Sequence, residues 1–459
     1  MGKNIRNFLD KLKREYPEMY LEVDDAIDVN NYEITAFAKK LEDAGLNKVL
    51  LFKNVNNING EKSEFPVLLN AFCTRELCAE ALGLPSGDSK QALTNAFAEI
   101  EKREEKVIVL PSEQAAVKEV VWGKIDLHRF PVPMCHADDV GPYFVMTNIM
   151  KARSGNFYDI TFTKNLIHSK NTMSISAHGH HHLRKIITEY EEIDQPTPVI
   201  LVLGHHPAFN LSACALMPYG NDDYLTAAAF MNEPLRLTSS ETWGEEFLVP
   251  ADAEIVIEGY VLPHVRKEQN PFGEISGHYQ EKMNSPVIEV TAVTHRRGAI
   301  MQSIFPGHPE HWILGGIPKE GSVINAIRKT VPTVTGVHLP NSGCGRFTCF
   351  ISLAENHEFI DVNRAAMIAF TEMPNLKMCI IVDEDIDIFN EREVFWAVAT
   401  QTHWDRDMQV IKKIQGFREW LGDAVVIIDA TRPRDIEFPK HNEIPAEALA
   451  RIDISKYIK

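Results

Sequence analysis

The sequence predicts an α+β chain of three units, a mostly antiparallel sheet or barrel held between two α/β domains. Three observations predict it. Strand-like and helix-like runs alternate over the first hundred residues and again after Gly307. Between about Val120 and Pro306 strand-like runs crowd together with few helices among them. No low-complexity linker or solenoid-period repeat separates the units, so they should pack on one another. The boundaries fall at 1–115, 116–306 and 307–459. A chain of 459 residues with 44% apolar content has room for several packed domains.

In the first unit Ile5, Phe8, Leu9 and Leu12 recur at helical spacing, and Pro17 ends that helix. A second helix is expected from about Tyr32 to Ala44, capped by Asn30 or Asn31. Apolar runs at Val49–Phe52 and Pro66–Phe72 read as strands, and helices follow near Arg75–Leu82 and Lys90–Lys102. The middle unit has strand-like runs at Tyr143–Lys151, Phe157–Thr163, Met173–Ala177, Pro198–Leu203, Glu254–Val261, Pro286–Val293 and Ala299–Phe305. Only His182–Tyr190 and Asp222–Met231 read as helices there. In the last unit strands are expected at Phe347–Leu353, Lys377–Asp383 and Ala424–Asp429, with helices at Asp361–Met373 and Glu391–Thr402.

Composition excludes some function classes. Lys plus Arg number 47 against 64 Asp plus Glu, a net charge of −17 spread along the chain, so the basic footprint of a nucleic-acid binder is missing. Apolar runs such as Pro198–Gly204 are too short to span a bilayer, and the N-terminus has no apolar signal core. A cytoplasmic location with no membrane partner is therefore expected. Seven Cys with no C-x-x-C pattern argue for reduced thiols rather than a disulfide framework.

The densest polar cluster is His178-Gly-His180-His181-His182, followed by Gly204-His205-His206-Pro207. Structural histidines and metal ligands compete as readings, and the nearby acids Asp159 and Asp222-Asp223 favour a metal. One His with two oxygen donors suits Mn²⁺ or Mg²⁺ better than structural zinc. The stretch from Ala213 through Met217 and Pro218 to Asp223 is a turn into a helix whose backbone N–H groups could cradle a phosphate, although ordinary capping explains the acids equally well. Glu274 ends the turn Glu268-Gln-Asn-Pro-Phe-Gly-Glu274, either as a solvated loop acid or as a general acid. The acids of Asp383-Glu-Asp-Ile-Asp387 read as structural.

Six stretches taken in order resemble landmarks of the UbiD family of prenylated-flavin-dependent decarboxylases. They are Ile125-Asp-Leu-His-Arg-Phe-Pro-Val-Pro, Gly141-Pro-Tyr, Val249-Pro-Ala-Asp-Ala-Glu-Ile-Val-Ile-Glu-Gly, Pro271-Phe-Gly-Glu, Thr294-His-Arg-Arg and Val382-Asp-Glu-Asp-Ile-Asp. The resemblance covers nearly the whole chain. It implies a central flavin-reductase-like split β-barrel between the two α/β domains, and a homo-oligomer. It also implies prenylated FMN, made by a flavin prenyltransferase and tied to the protein through Mn²⁺ (or Mg²⁺), with K⁺ nearby. The implied reaction is reversible exchange between CO₂ and an aromatic, heteroaromatic or α,β-unsaturated carboxylic acid, in which the flavin supplies the electron sink.

Carried over position by position, the family's metal-binding Asn falls on Asp159 and its catalytic Arg on Lys164. The metal-binding His falls on His180, with His178, His181 or His182 reached by a small shift of register, and the metal-binding Glu falls on Asp223. The cofactor contacts of the turn fall on Met217 and Pro218. The first Glu of the proton-transfer motif becomes Gln269, and the second, the proton donor, is retained as Glu274. In the family the Arg pairs with the first Glu, so the exchange to Lys164 and Gln269 alters both ends of one contact. It points to a subfamily with its own substrate class, the alternative being a chain that binds the cofactor differently and has lost the usual activity. Two other readings remain: a cofactor-binding subunit of a larger carboxylase complex with little activity alone, and a flavin-free metal-dependent hydrolase.

Overall fold

In the computed structural model, which describes residues 2–103, 105–177, 181–414, 422–440, 442 and 444–457, a closed antiparallel barrel forms the centre of the molecule. Its six strands are Tyr143–Lys151, Tyr158–Ile167, Thr172–Ile175, Thr197–Val202, Ile255–Gln269 and Met283–His295. Named by first residue, they follow one another around the ring as Ile255, Thr197, Tyr143, Tyr158, Thr172 and Met283. The ring closes where the Met283 strand pairs with the Ile255 strand. Closure leaves no free edge to pair with another chain.

Apolar runs marked most of these strands, because side chains such as Ile149, Ile200 and Ile257 are buried in the packed barrel. The Ile255 and Met283 strands run well past the expected Glu254–Val261 and Pro286–Val293. Their extension carries Arg266, Lys267 and Glu268 on a partly solvated ribbon, and a register shift between Val261 and Arg266 absorbs the irregularity. Two unexpected strands, Leu235–Ser240 and Gly244–Pro250, form a hairpin joined in parallel by Val107–Val109. Their mixed polar composition hid them. A third helix, Pro207–Ser212, is buried along its whole length and so shows no amphipathic stripe.

The N-terminal sheet orders its strands as Tyr20–Ile27, Val49–Val55, Val67–Leu69 and Met301–Gln302. The last strand corrects the expected strand Ala299–Phe305. Only two of its residues pair, and they pair with Val67 and Leu68 rather than with the barrel. The first helix, Ile5–Glu15, buries the four residues that its spacing marked, and Asn4 caps it by accepting from the Asn7 N–H. The second helix, Glu33–Asp43, starts after Tyr32 in the left-handed region at φ 61°. Asn30 and Asn31, expected as its cap, lie instead in the short turn Val29–Asn31, which Asp28 caps.

The C-terminal sheet orders its strands as Val334–His338, Thr348–Leu353, Met378–Asp383, Val425–Asp429 and Met408–Ile411, with helices Phe359–Glu372 and Glu391–Gln401 packed on it. The element that joins the three units is the helix Pro309–Arg328. Sequence patterning missed it because Gly315, Gly316, Pro318 and Gly321 interrupt it, and each is a poor interior helix residue. The fold supplies the reason for Gly321: a Cβ there would lie 2.7 Å from the Phe97 Cβ, so the crossing with helix Gln91–Ile100 demands glycine. Among the described residues no helix is long and apolar enough to cross a membrane.

Candidate active site

Lys164 lies on the Tyr158–Ile167 strand, and Glu274 follows the two-residue strand Phe272–Gly273 that continues the Ile255–Gln269 strand. The two side chains form an ion pair, with exposures of only 11% and 10%. Lys164 Nζ also donates to Gln280 Oε1 at 2.6 Å and sits 4.6 Å from the centre of the Phe272 ring. Both residues line a cavity of about 130 Å³, whose wall includes Phe162, Ile304 and Leu314. A charged pair so poorly solvated interacts far more strongly than one in water.

Several groups aim Glu274. Its backbone N–H donates to His278 O at 2.9 Å, and Trp312 Nε1 donates to the next carbonyl, Ile275 O, at 2.9 Å. The Gly273 N–H donates to Asp139 Oδ1 at 2.8 Å, while Asp139 Oδ2 accepts the His136 N–H at 2.9 Å. The His136 ring lies against Gly273 so closely that a Cβ would come within 2.2 Å of Nδ1. That ring cannot retreat freely, because the Phe305 ring packs on it at 5.5 Å. Gly273→Ala is therefore expected to displace the residue beside Glu274 and lower turnover by ~10²-fold, as a misplacement of about 1 Å can. Circular dichroism should stay that of the parent; parental turnover would refute the packing argument.

Gln269 is fully buried, and its Oε1 accepts from Ser174 Oγ at 3.0 Å. The partnership with Lys164 expected from the family pattern is thus replaced on both sides: Lys164 turns to Glu274 and Gln280, and Gln269 to Ser174. Gln269 Nε2, Asn148 Oδ1 and Asn165 Oδ1 are buried without hydrogen-bond partners among the described residues. Such orphaned atoms on barrel strands suit a bound group rich in donors and acceptors, as a flavin is.

The Tyr158–Ile167 strand pairs with Tyr143–Lys151 without a register shift. Asp159 and Lys164 therefore project from opposite faces, about 17 Å apart along the strand. Asp159 is 2% exposed, accepts from Thr161 Oγ1 at 2.8 Å, and has His182 Nδ1 at 2.9 Å. Asp223 accepts from the Ile160 N–H at 2.9 Å. Burial first, and then the charge of Asp159, push the Asp223 carboxyl up to about 7. Two buried carboxylates that oppose each other's ionisation, with an imidazole beside one, suit a hard divalent cation. Among the described residues no complete set of three metal-ligating side chains stands ready. His180, the expected third ligand, lies outside the described residues, as does His178; His182 is the histidine that meets Asp159.

His205 and His206 belong to the core. Burial lowers the pKa of both, and His206 caps the Pro207–Ser212 helix by accepting from the Ala208 N–H at 3.2 Å. Asp385 pairs with Arg432, and Asp383 accepts the Arg432 N–H at 2.8 Å, in keeping with the structural reading of that acidic stretch. Met217 and Pro218 stand in the turn before helix Asp223–Met231, where Asn221 N donates to Pro218 O at 3.1 Å. Sequence reasoning missed His136, Asp139, Gln280, His311 and Arg346. Only Asp139, two residues before Gly141-Pro-Tyr, and Arg346, in the turn Gly343-Cys-Gly-Arg, had a local signal.

Comparison with known proteins gives a consistent result. Family models described as the N-terminal, Rift-related and C-terminal domains of 3-octaprenyl-4-hydroxybenzoate carboxy-lyase match residues 12–97, 109–309 and 312–418. The chain is 31% identical to the UbiD-class enzyme HmfF from Pelotomaculum thermopropionicum, solved in complex with FMN, at a TM-score of 0.90 over 99% of this chain and 100% of that one. An evolved dimeric form of the same enzyme, solved with prFMN, matches with a TM-score of 0.88 over 100% of both chains, again at 31% identity. Gallate decarboxylase of Lactiplantibacillus plantarum is 30% identical over 60% of this chain and 59% of its own length. Anhydromevalonate phosphate decarboxylase of Methanosarcina mazei is 27% identical over 79% of this chain and 81% of its own.

Proposed function

The chain belongs to the UbiD family of carboxy-lyases, and on that premise we propose that it is a prenylated-FMN-dependent, reversible and non-oxidative decarboxylase of an aromatic, heteroaromatic or α,β-unsaturated acid. The observation that carries this reading is the Lys164–Glu274 pair in the wall of one cavity. Losing CO₂ from an sp² carbon leaves an electron pair with no acceptor on the protein, and the flavin, when bound, supplies that sink.

The protein's own share is positional and protonic. Lys164 orients the substrate carboxylate as a point charge, where an Arg would offer a planar fork. As the carboxylate takes Lys164, Glu274 loses its counter-charge and is favoured in its protonated form. The bond between the substrate's sp² carbon and its carboxyl carbon breaks, CO₂ leaves, and the proton on the Glu274 carboxyl passes to the sp² carbon. In the carboxylation direction Glu274 receives the proton back. Phe162, Phe272, Ile304 and Leu314 supply the apolar part of the cavity wall and limit competing water there.

Asp159, Asp223 and a histidine of the 180–182 stretch would hold Mn²⁺ or Mg²⁺, with Met217 and Pro218 offering backbone to the cofactor phosphate and K⁺ a further counter-ion. An ion held at Asp159 would lie about 17 Å along the strand from Lys164, away from the Lys164–Glu274 pair. Exposed apolar side chains on the last unit, Phe359 and Ile360 among them, support a homo-oligomer.

The test is production with and without a flavin prenyltransferase. The reading requires prenylated-flavin absorbance and CO₂ release from some member of a panel of unsaturated acids only after co-production, with about one Mn²⁺ or Mg²⁺ per flavin by elemental analysis. Activity independent of flavin would favour a hydrolase, and flavin-loaded protein inert until a partner is added would favour a subunit of a larger complex.

A further inference from the structure

The helix Pro309–Arg328 passes from one hydrophobic core to another. Ile313, Leu314 and Ile317 pack with the N-terminal unit and the barrel, whereas Val323, Ile324 and Ile327 pack with the C-terminal sheet. Glu320 stands where the two cores part, and its side chain is fully buried. A buried carboxylate persists only with partners, and here they come from both sides. From the N-terminal unit, Arg75, the first residue of helix Arg75–Ala81, donates from Nη1 to both carboxylate oxygens at 3.0 Å, and Thr94 Oγ1 donates to Oε2 at 2.8 Å. From the C-terminal unit, His338 Nδ1 donates to Oε1 at 2.8 Å, and the Leu339 N–H donates to the same oxygen at 2.9 Å.

Burial alone would raise the Glu320 carboxyl, but Arg75 and then His338 bring it down to about 2, so the group is ionised and accepts from all these donors. Arg75 is itself held: its Nε donates to Ser89 O at 2.7 Å, and its guanidinium lies 4.8 Å from the centre of the Phe389 ring, on the C-terminal unit. Packing does not seal the joint by itself. A cavity of about 200 Å³ opens beside these bonds, with Arg75, Ile317, His338 and Phe389 in its wall.

What this link holds is part of the wall around Lys164 and Glu274. Leu339 leads into the turn to Phe347, in which the Gly343 and Gly345 N–H groups donate to Pro340 O at 3.1 and 3.0 Å. The turn carries Arg346 into that wall, and it meets the helix again at Gly345, where a Cβ would run into Trp312 O. On the helix itself, Leu314 and Gly315 line the same cavity between one and two turns before Glu320.

We propose that Glu320 is a positioning residue for the central cavity: by tying Leu339 to the long helix it fixes the turn that carries Arg346, and with it the shape of the wall that meets the substrate. The proposal rests on the decarboxylase reading for what occupies the cavity, but not for the link itself, and the test has an arm for each.

Hydrogen–deuterium exchange, resolved by peptide, would be read on Glu320→Ala, Glu320→Gln and the parent, each co-produced with a flavin prenyltransferase. In Glu320→Ala, residues 339–347 should exchange at least about tenfold faster, while the strands Tyr158–Ile167 and Met378–Asp383 keep the parental rate. Glu320→Gln loses the charge but keeps a carbonyl acceptor for the Leu339 N–H, and it should stay within about threefold of the parent in that segment. On whichever acid the parent turns over, kcat/KM should fall ~10²-fold in Glu320→Ala, the cost of a misplacement of about 1 Å, mostly through KM, and Glu320→Gln should recover most of the loss. Should Glu320→Ala not fold, His338→Phe carries the same test, because it removes one bond to the C-terminal unit and keeps a ring against Phe389, whose centre lies 4.7 Å away. Exchange that rises evenly over the whole C-terminal unit would overturn the proposal, by making Glu320 a general support of the fold. Parental exchange in 339–347 would also overturn it, as would parental kcat/KM beside the faster exchange. Glu320→Gln as impaired as Glu320→Ala would overturn it by assigning the effect to the lost charge. If no acid is turned over, the decarboxylase reading falls, and the exchange arm still decides the link.

Discussion

Glu274→Gln is expected to fold, to load flavin like the parent, and to lose turnover by at least ~10²-fold, the usual contribution of a positioned acid or base. The bonds that place residue 274 are those of the backbone: its N–H to His278 O, and its carbonyl to the Gly277 N–H at 3.0 Å. None of them involves the carboxyl group, so the neutral isostere keeps the turn. A carboxamide can still accept from Lys164 but lacks both the charge of that pair and the transferable proton. Single-turnover CO₂ release, flavin absorbance and circular dichroism would be read on the same preparation. Parental turnover would remove Glu274 from the chemistry, and lost secondary structure would contradict the account of the turn.

Lys164→Ala has the next largest expected effect, about 10²–10³-fold in kcat/KM, the range seen when one member of a buried charge pair is truncated. Two losses combine. The substrate carboxylate loses its cation, which raises KM. Glu274 also loses the cation that helps to position it, in a cavity where it is 10% exposed. Lys164→Arg restores the charge but must fit a planar fork where Gln280 Oε1 now meets a single ammonium at 2.6 Å, and it is expected to recover part of the loss. Kinetics on flavin-matched preparations decide the matter; a variant that changes kcat alone would mean that Lys164 does not hold the substrate.

Much of the architecture was legible because it is encoded locally. The stripe Ile5, Phe8, Leu9, Leu12 is a helix whatever it packs on, and the expected strand Tyr143–Lys151 is the strand found. The helix Pro309–Arg328 was illegible for the opposite reason. Gly315 and Gly321 make no local sense in a helix, and acquire it only from Arg346 lying on one and Phe97 on the other. The site divides in the same way. Lys164 and Glu274 were marked by the family pattern, and the pattern also suggested Gln269 as a neighbour of Lys164. Side-chain direction within the barrel gave Gln269 to Ser174 and Lys164 to Gln280.

By itself, then, the sequence determined most strands and helices in their order, the barrel between two α/β units, the family, and the residue types of the Lys164–Glu274 pair, since each of these is written in local periodicity or in contiguous motifs. The tertiary structure alone decided which groups meet. Lys164 and Glu274 are 110 positions apart, Asp139 and Gly273 are 134 apart, and the surroundings of Gly315 depend on a turn near residue 345. Contacts across such separations follow from barrel closure and helix docking, which are cooperative packing outcomes that no short window of sequence contains.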